Sequence, residues 1–101
     1  MATEPRRAGP DATVLGTPRR RSDDIFERVL DGDLVVYDLT QQRVHILNPT
    51  AAFIWYRCDG EHGPGEIAAE LADRFPEHKM TIHEDVRPIL DAFAEEGLLA
   101  A

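Results

Sequence analysis

From residue 26 to residue 47 the apolar positions come in short, alternating or β-rich runs; from residue 48 onward they recur every three to four residues. Phe26 to Leu30 alternates and ends in Asp31-Gly32-Asp33, a turn signal. Leu34-Val35-Val36-Tyr37 is β-rich, and Thr40-Gln41-Gln42 is a polar reversal before Arg43-Val44-His45-Ile46-Leu47. The pattern predicts three short antiparallel strands, about 27–30, 34–39 and 43–47, joined as a meander. The first and third strands are then edges, whose unpaired N–H and C=O groups must be covered, blunted or used.

The second half reads as helix. Asn48 is a good N-cap and Pro49 stands at the first helical position, where its missing N–H costs nothing. Ala51, Ile54, Trp55 and Cys58 form one apolar stripe, which puts Trp55 in the core, and Gly60 supplies a left-handed C′ residue. Gly63-Pro64-Gly65-Glu66 reads as cap, N1 proline, N2 and an acid at N3. Ile67, Leu71 and Phe75 line the face of that helix, beside Ala68 and Ala72, and Pro76 stops it. Thr81-Ile82-His83-Glu84 resembles a capping box, but Pro88 would then break a bond inside the helix. The expectation is a loose turn from Thr81 leading into a regular helix from about residue 86, with Asp85 as N-cap, or a kink there. Val86, Ile89, Leu90 and Phe93 make its apolar stripe, and Gly97 ends it before Leu98 and Leu99. The fold class is α+β: a three-stranded antiparallel sheet packed on three helices, an order that also describes a winged helix-turn-helix.

Charge divides the chain. Residues 1–21 hold five arginines against two acids, and the remainder holds six bases against seventeen acids, for a net of −8. The first part also carries Pro5, Gly9, Pro10, Gly16 and Pro18 without periodicity, so residues 1–22 read as a basic, disordered tail and 23–101 as the domain. The tail is either an unstructured leader or a basic arm for RNA or an acidic partner. A single cysteine makes no internal disulfide and fits a reducing cytoplasm. No run approaches the roughly 18 apolar residues of a membrane span, which favours a soluble, cytoplasmic chain.

No catalytic constellation stands out. Cys58 lies on the apolar stripe of Trp55, where a buried and inert thiol is expected. His45, His62, His78 and His83 lack metal-ligand spacing and read as surface residues, so no metal and no cofactor is expected. Gly63-Pro64-Gly65 lacks the lysine and hydroxyl of a phosphate loop. A winged-helix DNA-binding regulator is the alternative reading, but it conflicts with the charge. The last helix offers Arg87 beside Glu84, Asp85, Asp91, Glu95 and Glu96, and DNA affinity comes mainly from bases neutralising phosphates.

The run L-N-P-T-A-A-F-I-W at 47–55, C-D-G at 58–60, E-I at 66–67, Leu71, D-V at 85–86 and G-L-L at 97–99 resembles the PqqD-like family over about residues 26–99. That resemblance implies a non-catalytic module without cofactor, which binds the leader of a ribosomally made precursor peptide. It would present that leader to a modifying enzyme, often a radical S-adenosylmethionine enzyme, or to a leader protease. Tyr37-Asp38-Leu39 stands where the quinone-cofactor members typically carry a Tyr-Pro-Glu-like segment. The leader is expected to add as a strand to the edge at Arg43, Val44, His45, Ile46 and Leu47. Its apolar side chains would enter a groove against Asp85, Val86, Arg87, Ile89, Leu90 and Phe93, with Arg43 and Arg87 guiding an acidic leader. No nucleic acid and no membrane is expected as partner.

Overall fold

Asp31 and Gly32 both take positive φ, 53° and 86°, the signature of a two-residue hairpin turn whose twist matches the strands it joins. That turn connects β1 (Ile25–Leu30) to β2 (Asp33–Asp38), and the loop 39–42 leads on to β3 (Arg43–Leu47). The computed structural model describes residues 16–76 and 79–100, with backbone alone over 79–85. The strands form one antiparallel sheet in the order β1-β2-β3, so β1 and β3 are its edges, as the alternation predicts. Their ends differ from the expected bounds by two residues at most, the usual uncertainty of element termini.

Three helices cover one face: α1 (Pro49–Arg57), α2 (Pro64–Arg74) and α3 (Lys79–Glu95). Asn48 caps α1 by accepting a bond from the Ala51 N–H at 2.8 Å. Glu66 returns to accept the Gly63 N–H at 2.9 Å, which satisfies an otherwise orphan donor at the start of α2. Gly60 has a φ of 83°, yet it follows the C-cap residue Cys58 by two positions and so acts beyond the helix end proper. The core joins Leu34 and Val36 of β2, Leu47 of β3 and the helix residues Ile54, Trp55, Ile67, Leu71, Val86, Leu90 and Phe93. Trp55 is fully buried, as expected, with its ring edge-on to Phe93 at 5.5 Å.

Two features differ from the sequence expectation. α3 is one helix from Lys79 through Pro88 to Glu95, which rules out the expected start near residue 86 and leaves the alternative of a helix running through Pro88. Pro88 is exposed, so its ring and the carbonyl bond it forfeits lie on the outer side of α3, away from the packing of Val86, Leu90 and Phe93. The helix ends at Gly97, φ 74°, with Leu98 N–H bonded to Phe93 C=O at 2.9 Å. A Cβ on Gly97 would also meet the Gln41 amide nitrogen at 2.8 Å.

The second difference lies upstream. Residues 18–21 fall within the segment read as a basic tail, yet they form a strap between the end of α1 and the C-terminal segment. Gly60 N–H donates to Pro18 C=O at 2.9 Å, Arg20 N–H to Cys58 C=O at 2.8 Å and Arg21 N–H to Leu98 C=O at 2.8 Å. Arg21 then reaches the fully buried Asp38 at 2.9 Å. Residues 1–15 of that tail lie outside the described residues.

Candidate functional site

Among the described residues β3 is an edge strand, so one flank of its backbone has no partner strand. Side chains alternate across it. Arg43, His45 and Leu47 share the helix-facing side with Asp38, Val36 and Leu34 of β2, their paired residues. Val44 and Ile46 point to the outer face, where they are 57% and 69% exposed beside Tyr37 and Val35. Strand alternation thus separates the predicted β3 residues into two groups that serve opposite faces.

β3 and α3 stand apart along their length: among the described residues no Cα of β3 comes within 8 Å of a Cα of α3. The two are joined where α3 ends: Arg43 Nη1 donates to Glu96 Oε1 at 3.1 Å, and Gln41 Nε2 donates to Glu96 C=O at 2.8 Å. Glu96 N–H still bonds Ala92 C=O, so Glu96 continues the helical path. Ile89, seven residues earlier, shares its face at 3.6 residues per turn and is partly buried against the core.

Arg87 lies about 200° around the helix from Ile89. It lines, with Val86, a hollow of about 160 Å³ against Pro64, Gly65 and Ala68 of α2. The two predicted guiding arginines therefore do not come together: Arg43 is already held by Glu96, and Arg87 faces α2. Val86, Leu90 and Phe93 are core, and the Asp85 side chain lies outside the described residues. On the helix-facing side of β3, His45 stands between Arg43 and Leu47, and among the described residues its Nε2 is buried without a hydrogen-bond partner. Glu96 and Gln41 escaped the sequence analysis, because a contact over 53 or 55 residues leaves no local pattern.

Other titratable groups sit away from β3. Burial pushes the Cys58 thiol up to about 12, which leaves it protonated and inert. Two histidines expected at the surface are partly buried: His45 on β3, and His62 between Asp59 and Glu70 at the α1–α2 turn. The bond with Asp59 raises the His62 pKa against the opposing effect of desolvation. His78 and the side chain of His83 lie outside the described residues. Among the described residues, no three His, Cys, Asp or Glu side chains converge as a metal site. No helix among them is long and apolar enough to cross a membrane.

A three-stranded sheet with one covered face, three helices and, among the described residues, an unpaired edge at β3 defines a small winged helix-turn-helix-like α+β domain. Residues 33–99 match the family described as coenzyme PQQ synthesis protein D (PqqD), and the chain belongs to that family. β1 and the strap precede the matched stretch. Two solved structures share the fold. TbiB1 in complex with the TbiA(beta) leader peptide has a TM-score of 0.68 and 23% identity, covering 82% of this chain and 95% of that one. Lasso peptide synthetase B1 complexed with the leader peptide has a TM-score of 0.70 and 23% identity, covering 85% of this chain and 100% of that one. No curated protein matches the chain in sequence.

Proposed function

We propose that this chain is a non-catalytic, cytoplasmic holder of a precursor peptide's leader. The leader adds as a strand to the free edge of β3 and is presented to a modifying enzyme, a radical S-adenosylmethionine enzyme or similar, or to a leader protease. The observation that carries this reading is the edge of β3, unpaired among the described residues, in a PqqD-family chain. Backbone pairing along residues 43–47 accepts many sequences, and the side chains along that edge supply selectivity. Both fold neighbours are structures with leader peptides, which supports the reading.

The test is an NMR titration of the full chain with candidate leaders, the N-terminal halves of short peptides encoded near its gene. The largest amide shifts are expected at Arg43 to Leu47. Shifts confined to Glu66–Phe75 would place the ligand on α2 and overturn strand addition.

A further inference from the structure

His45 sits on the helix-facing side of β3 between two residues already engaged. Arg43 is held by Glu96, and Leu47 belongs to the core. The imidazole Nε2 between them is buried and unpartnered. A ring nitrogen is always a donor or an acceptor, and buried polar side-chain atoms nearly always find a partner. Across the β2–β3 ladder the paired residue is Val36, a fully buried aliphatic with nothing to offer. The other flank of the His45 backbone is, among the described residues, an unpaired edge, and the ring has to turn out of its buried position to meet a ligand there.

A peptide strand added at that edge places one residue directly opposite His45. Its side chain falls on the same face, with Cβ atoms about 4.5–5.5 Å apart. The residues on either side of it project to the outer face, beside Val44 and Ile46. Both of these are exposed aliphatics, and apolar neighbours would cover them.

We infer that His45 is the specificity-determining side chain of this edge. The ligand it selects is a strand with a hydrogen-bonding side chain opposite His45, flanked on both sides by apolar residues that cover Val44 and Ile46. This rests on the strand-addition reading above and names the peptide class that reading leaves open.

The probe is a candidate leader, the N-terminal half of a short peptide encoded near this chain's gene, made as a series of single substitutions. Its Kd is measured by fluorescence polarisation against the full-length wild type, His45→Leu and His45→Gln. One lost hydrogen bond corresponds to roughly tenfold in affinity, so His45→Leu is expected to weaken the native leader about tenfold. His45→Gln keeps a polar atom near the Nε2 position and is expected to stay within about threefold. One polar leader residue changed to Leu should cost about tenfold against wild type and nothing against His45→Leu, the coupling that distinguishes a direct partner from a general loss of packing. If no leader position loses its effect in His45→Leu, the assignment of His45 is overturned while strand addition stands. If the wild type does not bind the leader, both fall. Should His45→Leu fail to fold, the ¹⁵N shift of His45 Nε2 in the wild type decides. A shift moved by the native leader but not by the singly substituted one supports the assignment, and a resonance unmoved by either overturns it.

Discussion

Asp38 and Arg43 face each other across the β2–β3 ladder, yet each takes its ion-pair partner from elsewhere, and the two pairs end in opposite circumstances. Asp38 is fully buried and meets Arg21 of the strap, whose side chain is 19% exposed. Arg21 also donates to the carbonyls of Gly97 and Asp23 and to the Thr40 hydroxyl, while Gln41 donates to Asp38 from both backbone and side chain. Arg43 meets Glu96 with side chains 60% and 43% exposed. Removing one partner from a buried pair strands a charge, whereas an exposed pair contributes only about 0–1 kcal/mol. The same chemistry thus makes a fixed seam that ties the end of α3 to the sheet and, one strand away, an exposed pair at the rim of the proposed peptide site.

The largest effect is expected beneath both pairs. Trp55 packs edge-on to Phe93 of α3, and its indole N–H donates to Glu27 of β1 at 2.9 Å. Trp55→Ala should cost roughly 3–5 kcal/mol, a large share of the stability of a domain this small. Chemical denaturation measures it. A folded variant that loses only peptide affinity would move Trp55 from the core into the site.

Arg21→Ala comes next and tests the seam directly. Its Tm should fall by about 10 °C, while the fraction that remains folded keeps its affinity for peptide. A chain beginning at Ser22 should behave the same way, because it discards Arg21 together with the strap. A chain beginning at Gly16 keeps them and should match the full chain in Tm. Equal stability for both truncations would make the strap dispensable.

These contacts mark where sequence stops being informative. The Asn48-Pro49 and Gly63-Pro64-Glu66 caps, the Asp31-Gly32 turn and the burial of Trp55 are local or periodic signals, and each is present in the structure. Both edges of the sheet follow from short strands joined by tight reversals. The partner of Asp38 does not, because Arg21 lies in a stretch whose prolines, glycines and like charges read as tail. Pro88 misled for a related reason: its cost depends on which side of the helix faces water, and that is set by packing on α2. Arg43 and Arg87 looked alike as exposed cations near the expected groove. Only the assembled fold sets Arg43 of β3 against Glu96 and Arg87 of α3 against α2.

Acidity and alkalinity should act on different places. Desolvation works to raise the Asp38 pKa, but the bonds from Gln41 and Arg21 together outweigh it and hold that carboxyl below its ordinary 3.8. Its stabilising contribution is complete above 3.8 and is lost as pH falls through the lower folded value. Arg21→Ala should therefore flatten the acid limb of Tm against pH. His62, raised above 6.5 first by its bond with Asp59, contributes below 6.5 and loses that contribution as pH rises through its folded value. His62→Gln should flatten the limb on the alkaline side of 6.5 without changing peptide affinity, since the α1–α2 turn is remote from β3. A parallel change in affinity would connect that turn to the proposed peptide site.

The smallest effects on stability belong to the exposed pair. Arg43→Ala and Glu96→Gln should each change unfolding free energy by no more than about 1 kcal/mol, because both side chains are substantially exposed and screened. Their effects on binding should have opposite signs if the leader is acidic. Arg43→Ala removes the cation at the rim of the proposed site and should slow association. Glu96→Gln releases that cation and should speed association severalfold at low salt. The gap between them should narrow near 0.15 M salt, where charges separated by more than roughly 8 Å are screened. Stopped-flow association across a salt series measures both variants. A fall in Tm for Glu96→Gln as deep as that for Arg21→Ala would show that the second pair is also a seam.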